Sequence, residues 1–142
     1  MPRGSNDQTP PRRDQRDHQA LAHPPIRVLV VDNDPGMTRT LGINLRTRGY
    51  QVDTAGTGAA ALTQAFHQPP TLIILDLELP DLDGIRVLTT LAAARAAPII
   101  VTTARDGPHD YADAINAGAS AFLVKPFGMD QLLREVQQSL PP

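Results

Sequence analysis

Short runs of β-branched and aliphatic residues alternate along the chain with longer segments in which apolar residues recur every three or four positions. The short runs predict β-strands, and the longer segments predict amphipathic helices. Two of the runs, TLIILD and PIIVTT, are almost wholly apolar, which is typical of central strands covered on both faces. The five predicted strands span residues 26–31, 50–55, 71–76, 98–103 and 120–125.

The first predicted helix follows the first strand. Met37, Leu41 and Leu45 recur there every four residues, as one face of a helix requires. Asp34 precedes this segment and is a typical N-cap residue. Gly118 is expected just beyond the end of the fourth helix, where glycine is common. The four further helices are predicted near residues 57–67, 84–96, 108–117 and 129–140.

This alternation predicts the α/β class, with a doubly wound, five-stranded parallel sheet in a (βα)5 arrangement. In such a sheet the functional site lies at the carboxyl ends of the strands, where the strand order reverses. The domain is expected to occupy residues 26–142. Residues 1–25 are polar, rich in proline and mixed in charge, and they are predicted to form a disordered N-terminal arm. The arginines of this arm could contact a partner or nucleic acid, but interleaved aspartates offset their charge.

The composition excludes several classes of protein. The 142 residues include no cysteine, which rules out a disulfide framework and thiolate metal sites. No apolar run approaches the ~20 residues needed to span a bilayer. A net charge of −2 gives no basic surface of the kind that nucleic acid attracts. We therefore expect a cytoplasmic protein that makes no direct contact with nucleic acid or membrane.

Polar residues stand at or just beyond the ends of four predicted strands: Asp32, Asp76, Thr103 and Lys125. Two carboxylates on neighbouring strands would repel each other unless a cation lay between them, and oxygen donors without nearby Cys or His suit Mg²⁺. Lys125 could neutralise a phosphoryl group, and Thr103 could donate a hydrogen bond to it. Spacing alone is equally consistent with a structural salt bridge between Asp76 and Lys125.

Several segments together resemble the receiver domain of two-component response regulators. They are VLVVDND, LIILDLELPDLDG, PIIVTTA, AGA and FLVKPFG. The resemblance runs from residue 26 to about residue 140, and it is specific because LDLELPDLDG is followed at suitable distances by TA and KPF. Within that family the chain most resembles regulators of bacterial potassium-transport operons. The resemblance implies the flavodoxin-like form of the parallel sheet.

The resemblance also implies a phosphorylation site. Asp76 would accept a phosphoryl group from a sensor histidine kinase, with Thr103 and Lys125 contacting that group. Mg²⁺ would be held by Asp32, Asp76 and the backbone carbonyl of Glu78. The protein would then be a signalling phosphoacceptor rather than an enzyme that turns over a separate substrate.

A conformational switch is implied in the same way. Thr103 would move toward the phosphoryl group and Phe122 would fill the space it leaves. That movement would repack the face made by the fourth helix, the fifth strand and the fifth helix, which would signal to an unknown output protein. An ordinary core aromatic is the alternative role for Phe122. The family also implies a cis peptide bond between Lys125 and Pro126.

The sequence departs from the family pattern after the first strand. The family usually has two adjacent acids there, and the second is a direct metal ligand, whereas this chain has Asp32 followed by Asn33. The Asn33 carbonyl could still coordinate Mg²⁺, but the loss of a negative charge is expected to weaken binding. Asp34 could compensate through a water molecule, although a helix cap is its expected role.

A second departure concerns dimer formation in relatives that bind DNA through a winged helix. Their dimer face has an acidic pair where this chain has Ser120 and Ala121, and basic residues where it has Tyr111 and Glu135. The corresponding ion pairs between protomers cannot all form. Because the chain ends at Pro142, either a stand-alone receiver or a regulator that lacks its DNA-binding half is expected.

Two other functions compete with phosphoacceptance. Asn33 favours a pseudo-receiver, a binding module with the same fold that works without phosphorylation. The segment VLVVDND also allows a phosphatase of the haloacid dehalogenase type, with Asp32 as nucleophile and Asp34 as acid. That phosphatase would need a further acidic metal motif and a cap insertion, and neither is visible in the sequence.

Overall fold

The computed structural model describes residues 25–94 and 97–141. The predicted N-terminal arm, apart from Pro25, lies outside the described residues. The five predicted strands are all present: β1 (Arg27–Val31), β2 (Gln51–Ala55), β3 (Leu72–Asp76), β4 (Ile99–Thr103) and β5 (Ala121–Val124). Each begins one residue later than predicted, and β5 also ends one residue earlier.

Five helices alternate with these strands: α1 (Pro35–Thr47), α2 (Gly58–His67), α3 (Gly84–Ala93), α4 (Pro108–Asn116) and α5 (Met129–Ser139). Asp34 is the N-cap of α1, as predicted, and its side chain accepts a hydrogen bond from the Gly36 N–H. Gly118 follows α4 with a φ of 116°, the left-handed conformation that favours glycine. In the described part of the chain, no helix has the length and apolar character needed to cross a membrane.

The prediction that α3 extends to residue 96 was wrong. The helix ends at Ala93, and Ala94 is its C-cap. Alanine has the highest helix propensity of any residue, so the alanine-rich sequence here contains no local signal for the end of the helix.

All strand pairings are parallel, and the strand order is β2-β1-β3-β4-β5. The order reverses between β1 and β3, which lie side by side at the centre. Val31 pairs with Leu75, so the next residues, Asp32 and Asp76, lie beside each other at the carboxyl edge of the sheet. This is the edge at which the sequence predicted the site.

The sheet is covered on both faces, and alternate strand residues belong to separate cores. Leu29 and Val31 of β1 belong to the core under α2, α3 and α4. Val28 and Val30 belong to the core under α1 and α5. Side chains that alternate between two buried faces explain why the central strands are almost wholly apolar. The doubly wound (βα)5 fold predicted from the sequence is confirmed.

Candidate functional site

Lys125 joins the two carboxylates at the carboxyl edge of the sheet. Its Nζ donates hydrogen bonds to Oδ2 of Asp32 at 2.9 Å and to Oδ2 of Asp76 at 3.2 Å. Both aspartates are only 4% exposed, although they stand at the surface end of their strands. The site therefore brings together, at the carboxyl ends of β1, β3 and β5, three residues that the sequence predicted to meet. The Lys125–Pro126 peptide bond is cis, as the resemblance implied.

Each carboxylate is also held by its own loop. Oδ1 of Asp32 accepts a hydrogen bond from the Asp34 N–H at 2.9 Å, and Oδ1 of Asp76 accepts one from the Glu78 N–H at 3.0 Å. Each aspartate thus uses one oxygen for a backbone amide two residues further on and the other for Lys125. Both side chains are fixed in orientation before any ligand binds.

The environment of Asp76 disfavours its charge. Burial raises the pKa of Asp76 above the ordinary aspartate value, and the negative charge of Asp32 acts in the same direction. The Glu78 amide and Lys125 lower the pKa, but they do not outweigh burial. For Lys125, burial alone would lower the pKa, yet the hydrogen bond to Asp32 and the two negative charges raise it above the ordinary value. Lys125 therefore stays charged at neutral pH.

Because the pKa of Asp76 is raised by burial, we expect Asp76→Asn to stabilise the protein at neutral pH. A carboxylate whose pKa is higher in the folded state than in the unfolded state costs stability once the pH rises through the folded value. Asparagine resembles the uncharged acid, so we expect this variant to melt a few degrees above the wild type at neutral pH. The advantage should shrink as the pH falls toward the unfolded-state pKa.

Thermal unfolding at neutral and acidic pH measures this effect. Asp106→Asn, at an exposed loop position, is the matched control and should leave the melting temperature nearly unchanged at both pH values. A lower melting temperature for Asp76→Asn at neutral pH would contradict the prediction.

Thr103 is the last residue of β4, and Phe122 lies in the neighbouring strand β5. Thr103 is fully buried at the end of β4, and its hydroxyl accepts a hydrogen bond from the Arg105 N–H at 3.1 Å. Phe122 is partly buried and packs against the core under α2, α3 and α4. Its ring meets that of Tyr111 on α4 edge to face, with 5.4 Å between the centroids. Phe122 is thus neither a fully buried core residue nor an isolated surface residue.

The loop between β3 and α3, residues 77–83, contains three acids, and each accepts backbone hydrogen bonds. Asp83 caps α3, and Asp81 accepts from the Gly58 and Ala59 N–H groups at 2.8 and 3.0 Å. Those two hydrogen bonds lower the pKa of Asp81 below the ordinary value. Asp81 therefore caps α2, a helix that begins 23 residues earlier in the sequence.

Sequence reasoning did not identify the side chain of Glu78. Its carboxylate accepts a hydrogen bond from the Ala104 N–H at 2.9 Å, just beyond Thr103. The Glu78 contact joins residues 26 positions apart, and the Asp81 contacts join residues 22 and 23 positions apart. Contacts between such distant residues leave no local signal in the sequence.

The donor set fits a hard divalent cation. Asp32 and Asp76 supply two buried carboxylates at one edge, and Asn33 and Glu78 line the open cleft beside them. Magnesium commonly takes one or two carboxylates and fills its other positions with water and substrate oxygens. Among the described residues no group of three or more His, Cys, Asp or Glu could hold a metal ion. The acidic donors here are two, since Asn33 stands where a further carboxylate would be.

Comparisons with known proteins agree with this architecture. The family described as response regulator receiver domain matches residues 28–137. The transcriptional regulatory protein KdpE of Mycobacterium tuberculosis is 49% identical over 113 residues, which cover 80% of this chain and 50% of that protein. The transcriptional regulatory protein PrrA of the same species is 41% identical over 115 residues, covering 80% of this chain and 49% of that protein. The chain thus spans about half the length of these curated relatives.

The fold agrees as well. The crystal structure of a CheY-like response regulator receiver domain protein from Methanospirillum hungatei has a TM-score of 0.78 and 27% sequence identity. The similarity covers 81% of this chain and 93% of that one. Family match, relatives and fold confirm the resemblance that the motifs indicated, and the chain belongs to the response regulator receiver domain family of two-component signalling systems.

Proposed function

We propose that this chain accepts a phosphoryl group on Asp76 from a sensor histidine kinase. The observation that supports this most directly is the position of Asp76: a nearly buried carboxylate at the end of a central strand, with Lys125 Nζ 3.2 Å from one of its oxygens. Burial of a carboxylate costs free energy, and groups with such perturbed pKa values are often functional. The burial of Asp76 therefore favours a functional role over a purely structural one.

In the proposed reaction, a carboxylate oxygen of Asp76 attacks the phosphorus of a phosphohistidine. An O–P bond forms as the N–P bond breaks, and the imidazole nitrogen keeps the electron pair and takes a proton from water. The Lys125 ammonium donates a hydrogen bond to a phosphoryl oxygen, and the Thr103 hydroxyl donates a hydrogen bond to another. Mg²⁺, when bound by Asp32, Asp76, the Glu78 backbone carbonyl and the Asn33 side chain, would neutralise charge on the transferred group.

The test uses acetyl phosphate with Mg²⁺, followed by intact mass measurement. We expect one added phosphoryl group on the wild type and none on Asp76→Asn, because the amide has no nucleophilic oxygen of comparable strength. Asp106→Asn, which removes a carboxylate from an exposed loop position, should be labelled like the wild type. An adduct that persists on Asp76→Asn would place the acceptor elsewhere.

Asn33→Asp is expected to strengthen Mg²⁺ binding and to speed phosphorylation at limiting Mg²⁺. A third carboxylate adds a full negative charge to the ligand set, and we expect an effect on the order of tenfold in apparent Mg²⁺ affinity. Phosphorylation rates measured across a Mg²⁺ titration give this value. Asn33→Ala, the matched control, should bind Mg²⁺ no more tightly than the wild type. An unchanged Mg²⁺ dependence in Asn33→Asp would show that residue 33 does not face the metal.

The pseudo-receiver is the second candidate function, and Asn33, which stands where the family usually has a second acid, favours it. A chain that forms no adduct as wild type, but does so as Asn33→Asp, would be such a module. In either case we propose that the output surface is formed by α4, β5 and α5, where Phe122 packs against Tyr111. Because the named relatives are transcriptional regulators, we propose transcription as the process that this output controls.

A further inference from the structure

The side chain of Glu78 connects two loops at the carboxyl edge of the sheet. Its Oε1 accepts the hydrogen bond from the Ala104 N–H at 2.9 Å, while its own backbone N–H donates to Asp76 Oδ1 at 3.0 Å. Ala104 directly follows Thr103, the last residue of β4. A single residue therefore contacts both the carboxylate that we propose as acceptor and the loop between β4 and α4.

The contact is unlike those of the two other acids in residues 77–83. Asp81 and Asp83 accept from amides in the first turns of α2 and α3, where negative side chains are normally found. Ala104 lies outside the helices, several residues before α4 begins at Pro108. The Glu78 carboxylate is therefore not a helix cap, because its donor is a backbone amide in the loop between β4 and α4.

The pairing of β3 with β4 places this donor beside Asp76. Asp76 pairs with Thr102, and the Leu77 N–H donates to the Thr102 carbonyl at 3.1 Å. Asp76 and Thr103 end neighbouring strands, so the loops that begin at Leu77 and Ala104 start at the same edge of the sheet. A group attached to the Asp76 side chain would meet the backbone just beyond Thr103.

We propose that the Glu78–Ala104 hydrogen bond is an autoinhibitory contact, in which a carboxylate occupies a backbone donor that a phosphoryl group on Asp76 would use. The inference rests on the proposed function. The phosphoryl group carries a charge of about −1.5 to −2 and three strong acceptor oxygens, whereas Asp76 gives up the charge of its own carboxylate when the O–P bond forms. Two anions then compete for one N–H and repel each other. Glu78 lies on the surface, so its carboxylate can move into water.

The contact has two consequences. Before transfer, the negative charge of Glu78 opposes the approach of an anionic phosphodonor and so slows phosphorylation. After transfer, the loop that leads into α4 loses its hydrogen bond to the Glu78 side chain and gains one to the phosphoryl group. Displacement of Glu78 thereby links the chemistry at Asp76 to the start of the proposed output surface.

Rates of adduct formation with acetyl phosphate and Mg²⁺ test the proposal. We expect Glu78→Ala to be phosphorylated roughly three- to tenfold faster than the wild type, the effect of removing a partly screened like charge. Glu78→Gln keeps an oxygen for the Ala104 amide but loses the charge, so its rate should fall between the two. Both substitutions keep the backbone carbonyl at position 78. Asp81→Asn removes one charge from the same loop and should stay within about twofold of the wild type.

A second readout needs no phosphorylation. Hydrogen exchange at the Ala104 amide, followed by NMR in the unmodified proteins, should be faster in Glu78→Ala than in the wild type or in Asp81→Asn. Equal phosphorylation rates for the wild type and Glu78→Ala, or equal protection of the Ala104 amide in both, would overturn the autoinhibitory contact alone. Failure of every variant to form an adduct would overturn the proposed function together with it.

Discussion

Gly84→Ala is expected to destabilise the protein by about 3 kcal/mol or more, because this position has no room for a methyl group. A Cβ atom on Gly84 would lie 2.1 Å from the carbonyl oxygen of Leu77 and 2.5 Å from its Cα. These are backbone atoms of the residue that follows Asp76, and the Leu77 N–H is bonded to the Thr102 carbonyl. Relief of the clash would require α3 or the end of β3 to move.

Chemical unfolding followed by circular dichroism measures this cost. Gly56→Ala is the matched control, because a Cβ there meets nothing within 4 Å, and its stability should change by less than about 0.5 kcal/mol. Equal midpoints for the two variants would contradict the packing argument. If Gly84→Ala folds at low temperature, its phosphorylation rate should also fall, since the displaced Leu77 adjoins the acceptor.

The alternation of apolar residues was sufficient to predict the sheet and the helices. TLIILD and PIIVTT became central strands because only a strand with two covered faces buries every one of its side chains. Asp34 and Gly118 marked helix ends through the local chemistry of their own side chain or backbone. The end of α3 could not be predicted in the same way, because its alanines permit a helix without requiring one.

The candidate site was predictable in its members but not in its contacts. The carboxyl ends of parallel strands lie at one edge of the sheet, however the side chains pack. The positions of Asp32 and Asp76 at strand ends were therefore enough to predict that they lie at the same edge. The sequence left open whether Lys125 would contact either carboxylate, and the structure places its ammonium on both. Glu78 and Asp81 take partners on other elements, and such side-chain directions depend on how helices and loops pack over the sheet. No pattern within residues 77–83 distinguishes their contacts from that of Asp83.

Lys125→Met is expected to destabilise the protein at neutral pH by about 2–4 kcal/mol. The substitution keeps much of the side-chain volume but leaves Asp32 and Asp76 buried without their cation. Removal of one partner from a buried ionic group usually costs about 3–5 kcal/mol, and the 19% exposure of the Lys125 side chain argues for the lower part of that range. Phosphorylation should also slow, since the charge that neutralises the transferring group is lost.

The pH dependence of this loss separates electrostatics from packing. Without Lys125, the pKa of Asp76 rises further above its unfolded value, so the cost of ionising Asp76 applies only above that raised pKa. As the pH falls toward the unfolded value, protonation removes the charge and the variant should recover stability relative to the wild type. A deficit that stays constant from neutral to acidic pH would assign the effect to lost packing instead.

Arg27→Met is the matched control, because it removes a cation from an ion pair that is more exposed to water. Arg27 bonds Asp53 at 2.9 Å, the same distance as Lys125 to Asp32, but both side chains are about a quarter exposed. Water solvates the remaining carboxylate there, so we expect a loss below about 1 kcal/mol. A loss for Arg27→Met equal to that for Lys125→Met would mean that burial of the two site carboxylates does not set the energetic importance of Lys125.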